Sequence, residues 1–425
     1  MAAPALEQAL GLRTYLTDTP GIGGHLRGEP EDFQVFELGD GPKPDDRGRF
    51  AAARIRLRNW ETNRFVGIAA NKLGVRRNGI NFAGMKDKRA VTEQWFTLPC
   101  KLDRLDALSD LQDVEILEAH MTQRATHAGA HDGNRFVLRV RGHDGTEAVV
   151  DETLAQIRAA GGVPHFFGPQ RFGSGVRPVT HLMGAAIVAG ELEEAVRLFC
   201  GHPMPEERDE AREARTVYET TRDPEATLAV LPRQLDLERG ILERLVRRPG
   251  DWRHALHALP RNLRTLFVHA HQSLVFNHVL SARIDAGLDL ATAHLGDRVM
   301  AADDDGTTTH LVTPHNQARI QDEMDRGRAV VTGILPGLDV PPADGEPGAI
   351  EAKVLEEMAI EPRDFRCREM PDVASPGRRR GLLQHVADLE CSWVDGDPVV
   401  SFGLGRGSYA TVVMREVMKA DVRAY

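Results

Sequence analysis

The sequence predicts an α+β fold made of more than one domain. Strand-type and helix-type hydrophobic periods follow one another without a regular strand–helix–strand rhythm. The 425 residues exceed what one small core requires. The character of the chain also shifts near residue 174 and shifts back near residue 375.

The elements follow in order. Residues 31–38 and 52–58 read as strands; in Arg54-Ile55-Arg56-Leu57-Arg58 polar and apolar residues alternate with period two. A helix is expected over 62–73. Thr62 or Asn63 would cap it, Phe65, Ala69 and Leu73 would form its inner face, and Gly74 stands where a C-terminal cap belongs. Ile80–Ala83 reads as a short strand entering the polar turn Gly84–Arg89. Residues 134–141 alternate again, with Phe136, Leu138 and Val140 on one side and Arg135, Arg139 and Arg141 on the other. A helix near 146–159 stops at Gly161-Gly162. Residues 202–225 are charged and proline-marked, 303–309 read as a hairpin turn, and 336–348 as a proline- and glycine-rich loop. Strand patterning resumes over 381–403, and a last helix is expected from Ser408 to Lys419.

Composition narrows the function classes. With 41% hydrophobic and 27% charged residues the chain reads as globular. No run of about 18 apolar residues exists, so no membrane span is expected. Cys100, Cys200, Cys367 and Cys391 are far apart and form no C-x-x-C pair. That suggests neither a zinc site nor a disulfide framework, and a reduced, cytoplasmic setting is the expectation. The net charge of −10 argues on its face against a nucleic-acid partner. Its distribution argues the other way. Residues 51–99 hold ten cations and three anions, whereas 206–225 hold eight acids and four arginines. A basic half beside an acidic periphery is compatible with RNA binding.

Several segments could support chemistry. In Gly84–Trp95, Asp87 stands among Lys86, Lys88 and Arg89, cations that favour an ionised carboxylate able to attack or to abstract a proton. The plainer reading is a solvated loop aspartate. In Gly133-Asn134-Arg135-Phe136, the phenylalanine could stack on an extruded base and Asn134 could read its edge or hold the carboxylate; the plainer reading is a core ring. Pro164–Gly173 joins three aromatics to Gln170 and Arg171, either an RNA-facing surface or a buried aromatic corner. Arg27, in the turn before the first strand, is otherwise a surface charge. Gly403–Ser408 is a glycine turn into a helix start, without the lysine of a phosphate loop.

Taken together and in this order, these segments resemble the TruD family of tRNA pseudouridine synthases. The family signature G-x-K-D-x-x-A-x-T-x-Q is filled by Gly84, Lys86, Asp87, Ala90, Thr92 and Gln94. P-E-D-F at 30–33, N-x-F at 134–136, F-G-x-Q-R-F-G at 167–173 and G-S-x-A-T-x-x-x-R-E at 407–416 recur with it. The resemblance runs from about Arg27 to Glu416. Family members often carry lysine where Arg27 stands, which keeps the charge and changes its shape.

The resemblance implies a mixed-sheet catalytic domain in two pieces, residues 1–173 and 375–425, with an α/β TRUD domain of residues 174–374 inserted between them. The Gly403–Gly407 turn would then approach Asp87. It also implies isomerisation of a tRNA uridine, usually uridine 13, with no cofactor and no metal. Asp87 is the implied catalytic carboxylate, and Arg27, Lys86, Asn134, Phe136, Gln170 and Arg171 are the implied substrate-binding residues. Two other classes stay open on the sequence: a catalytically silent tRNA-binding protein, and a base-excising hydrolase that would release free uracil.

Overall fold

A computed structural model describes residues 3–173, 176–304 and 306–425 of the chain. The chain divides into two compact units, one of Leu16–Val163 with Gln384–Tyr425, the other of the residues through Tyr15 with Pro164–Leu383. The divisions fall at 163/164 and 383/384, about ten residues from those that composition suggests, and the first fifteen residues go with the second unit. The reason for the latter is local. Gly11, at φ +76°, brings the backbone against the helix Arg261–Asp285, where a side chain would meet Asn277 at 2.9 Å. Asn277 Nδ2 donates to the Leu10 carbonyl at 2.9 Å and Ser281 Oγ to the Gly11 carbonyl at 2.6 Å.

The first unit is built on one mixed sheet. Its strands lie in the spatial order Ala387–Val394, Asp397–Leu404, Gly133–Arg139, Phe33–Leu38, Val91–Leu98, Phe50–Arg58 and Val114–Thr122, with Asn81–Phe82 added beside Val91–Leu98. Only the pair Phe33–Leu38 with Val91–Leu98 is parallel along this path; the other neighbours are antiparallel. The alternation read at 52–58 is the pleat of this sheet, and so is that read at 134–141 as far as Arg139, where the strand ends. Ala51, Ala53, Ile55 and Leu57 point into a core with Phe65, Ala69 and Leu73 of the helix Thr62–Leu73. Leu138 and Val140 are fully buried.

The C-terminal piece closes this sheet. Val399–Leu404 pairs residue by residue with Asn134–Arg139, placing Phe402 beside Phe136 and Leu404 beside Asn134. Gly133, at φ +153°, permits the close approach, since a Cβ there would lie 2.2 Å from the Leu404 carbonyl oxygen. The following helix spans Ala410–Met418, and Tyr409 rather than Ser408 is its cap residue. Buried Glu416 accepts from the backbone N–H groups of Leu16 (3.0 Å) and Thr17 (3.1 Å), tying this piece to the start of the unit.

The second unit is mainly helical. Its longest helix, Arg261–Asp285, packs against Thr180–Ala189 and a small antiparallel sheet of His310–Leu311, Arg298–Ala301, Ala329–Leu335 and Arg378–Gly381. The expected hairpin at 303–309 joins Arg298–Ala301 to His310–Leu311, with residue 305 outside the described residues. The acidic stretch at 206–225 is largely the helix Asp209–Thr221. No described helix is long and apolar enough to cross a membrane.

Candidate active site

The loop that carries Asp87 is pinned on both sides. The helix Thr62–Leu73 starts beside it. Glu61, not Thr62 or Asn63, caps that helix by accepting from the backbone N–H of Asn63 (2.9 Å) and Arg64 (2.8 Å). Thr62 is thereby free to hold the loop: its Oγ1 accepts from the Lys86 N–H at 2.9 Å. Asn63 Nδ2 reaches the Met85 sulfur at 3.4 Å. Beyond Asp87, the Ala90 carbonyl accepts from the Asn59 N–H at 2.9 Å. Asp87 sits at the tip of this held segment with its side chain 57% exposed.

Arg27 is the partner of the carboxylate. Its backbone is left-handed, at φ +61°, and its guanidinium lies 4.1 Å over the Phe33 ring while Nη2 donates to Asp87 Oδ2 at 2.5 Å. The ring and the backbone twist fix the direction of the arginine, and the arginine fixes one carboxylate oxygen. Among the described residues Oδ1 makes no hydrogen bond, and the side chain as a whole is exposed. Arg89 Nη2 also donates to the Gly28 carbonyl at 3.5 Å, a second link between this turn and the loop.

Lys86 behaves differently from its neighbour. Its ammonium is buried and paired with Glu37, equally buried, at 3.4 Å. Glu37 Oε1 also accepts from the Trp95 N–H at 3.2 Å. Burial pulls the Lys86 pKa below the ordinary lysine value, against the pull of Glu37 in the other direction. His131, whose Nδ1 is 3.1 Å from the Gly133 carbonyl oxygen, has its pKa lowered by burial and then by the Lys86 charge. Arg406 of the glycine turn bonds the Gly129 carbonyl at 2.9 Å, so that turn packs on the His131 loop. Asn134 stands opposite Glu37 in the sheet. The Asn134 Oδ1 and both amide atoms of fully buried Gln94 lack hydrogen-bond partners among the described residues.

The expected cation cluster around Asp87 is therefore rearranged. Arg27, sixty positions away, makes the ion pair, and Lys86 turns inward to Glu37. Phe136 is packed as a core ring, 8% exposed, with Phe402 stacked at 5.6 Å and Phe33 edge-on at 6.4 Å. Gln170 and Arg171 belong to the other unit, in the turn Pro169–Phe172, where Arg171 Nε donates to Ser273 Oγ at 3.2 Å. Glu37 and His131 were not singled out from the sequence, and Thr62 was read there only as a helix cap. Glu37 did leave a signal: it follows Phe33 and Val35 at the inward period of the strand, where a carboxylate needs a partner.

Fold and site define an α+β protein that holds an exposed carboxylate, Asp87, on a loop beside a mixed sheet. The family model tRNA pseudouridine synthase D (TruD) matches residues 9–417, and the chain belongs to that family of isomerases. A Methanosarcina acetivorans protein named as a tRNA pseudouridine synthase D is 36% identical over 99% of this chain and 98% of its own length. One from Halobacterium salinarum is 37% identical over 98% of each. A crystal structure titled as the Methanosarcina mazei tRNA pseudouridine synthase D superposes over the whole of both chains with a TM-score of 0.89 at 35% identity.

Proposed function

We propose that the chain converts uridine 13 of tRNA to pseudouridine with Asp87 as the catalytic carboxylate. The reaction breaks the C1′–N1 bond, turns the base, and joins C5 to C1′; the proton leaves C5 and N1 gains one. The observation that supports Asp87 is its geometry. One oxygen is fixed by Arg27 at 2.5 Å while the side chain stays 57% exposed on a loop held by Thr62 and Asn59. A carboxylate so aimed can meet the nucleotide without first reorganising.

The target base must leave the RNA stack, at a cost of a few kcal/mol. Arg27, Asn134 and Phe136 are proposed to receive it near Asp87, with Phe136 forming the packed wall behind the site. Gln170 and Arg171 are proposed as RNA contacts of the second unit, Arg171 on a phosphate. The unit of 16–163 with 384–425 is proposed as catalytic and the unit that includes 164–383 as the TRUD domain. Lys86 is better assigned to holding the loop through Glu37 than to touching RNA.

The test is incubation of the purified protein with an unmodified tRNA transcript, followed by mapping of pseudouridine. Modification at uridine 13 supports the proposal. Modification only at another uridine overturns the target assignment. Release of free uracil without pseudouridine would identify a base-excising hydrolase instead.

A further inference from the structure

A second feature of the first unit lies beside the Asp87 loop. An open groove of about 530 Å³ is lined by Asn63, Val66, Arg76, Arg77, Asn78, Ile80 and Phe82. Its floor is apolar: Val66 and Ile80 are buried, and half-buried Phe82 is backed by Phe96 with ring centroids 5.9 Å apart. Its rim is cationic and amide-bearing. Arg76, Arg77 and Asn78 are exposed, and neither arginine has an ion-pair partner among the described residues. Of the two acids that flank them in sequence, Asp87 pairs with Arg27, and Glu61 accepts from the backbone N–H groups of Asn63 and Arg64, with the Arg77 charge only a minor influence on its pKa.

The groove is joined to the reacting carboxylate through one residue. Asn63 lines the groove, receives Arg77 Nη2 on its carbonyl at 3.4 Å, and touches the Met85 sulfur at 3.4 Å, two positions before Asp87. Met85 itself is exposed by 71%. An aromatic, apolar floor under an unpaired cationic rim suits a ligand with one flat apolar part and one anionic part. A nucleotide has both: a base for Phe82 and a phosphate for the arginines.

We propose that this groove is a subsite for a nucleotide of the RNA strand flanking the target uridine, its phosphodiester held by Arg76 and Arg77. The assignment rests on Asp87 being the reacting group, because adjacency to Asp87 is what makes the occupant a strand neighbour. It supplies what a base-extruding enzyme needs, a grip on the backbone beside the extruded position.

The test is equilibrium binding of an unmodified tRNA transcript across a salt series, for the wild-type protein, Arg76→Ala/Arg77→Ala, Arg76→Lys/Arg77→Lys, and Lys101→Ala as a control at an exposed cation outside the groove lining. The double alanine variant is expected to lose affinity by roughly tenfold, and its log–log salt slope should be shallower by about 1.4, near 0.7 for each lost contact to a single strand. The double lysine variant should retain most of the slope, and Lys101→Ala should match wild type. A double alanine variant with wild-type affinity and slope overturns the subsite, as does an equal loss in Lys101→Ala. Pseudouridine formation by the wild-type protein is read on the same transcript. Its absence overturns the reaction assigned to Asp87, whereas wild-type turnover with an unchanged alanine slope overturns the groove alone.

Discussion

Replacing Glu37 by Gln removes the charge that faces Lys86 and keeps an oxygen for the Trp95 N–H. Lys86 and Glu37 have side chains only 6% and 4% exposed, so water cannot take over the lost role. Breaking a buried ion pair from one side costs about 3–5 kcal/mol. The lower end applies here, because Lys86 can release its proton instead of remaining charged. About 3 kcal/mol at neutral pH corresponds to a fall in melting temperature of roughly 6–12 °C, at about 2–4 °C per kcal/mol for a unit of this size. The pH dependence has a definite sign. The folded-state pKa of Lys86 is already lowered by burial, and loss of Glu37 lowers it further. The destabilisation is therefore full below the variant's folded pKa and shrinks as pH rises from there to the wild-type folded pKa, which itself lies below the ordinary lysine value of about 10.4. Thermal melts of wild type, Glu37→Gln and Glu37→Gln/Lys86→Met at several pH values measure it, and the double variant should recover much of the loss. A melting temperature within 2 °C of wild type at neutral pH, or a double variant no better than the single, would refute the reasoning.

Two further substitutions probe the site. Phe136→Ala empties a ring packed between Phe402 and Phe33 and should cost about 3–5 kcal/mol in chemical denaturation. Phe136→Tyr should keep turnover per folded molecule; a wild-type midpoint for the alanine variant would show that the ring is not core. Arg27→Ala releases Asp87 Oδ2 and should lower tritium release from 5-labelled uridine by at least about tenfold, with Arg27→Lys recovering part of it. Wild-type turnover in Arg27→Ala would remove the arginine from the site.

The period-two segments and the helix at 62–73 were legible because each is half-buried: one face meets the core, and the pattern records that. Their ends were less so. Glu61 outcompetes Thr62 as the cap because Thr62 is drawn to the Lys86 N–H, a contact between segments that no local pattern encodes. The same limit governs the site. Asp87 stood out by its motif, but its companion Arg27 is identified by the approach of a left-handed turn to a loop. Lys86, adjacent in sequence, points inward because Glu37 lies on the inner face of a neighbouring strand. The sequence reading placed the division near 173, at the end of the aromatic run, whereas the chain changes unit at 163/164, where that run begins. Burial of Leu10 and Leu12 within the unit of the long helix Arg261–Asp285 left no compositional trace.

The central claim is that Asp87 performs the isomerisation. Tritium release from tRNA labelled at C5 of uridine, measured for wild type and Asp87→Asn beside equilibrium binding of the same tRNA, tests it most directly. Asparagine keeps the shape and an oxygen for Arg27 but not the charge. The account predicts release by the wild-type protein, release at background for Asp87→Asn, and tRNA affinity within a few fold of wild type. Turnover by Asp87→Asn near the wild-type rate would contradict it.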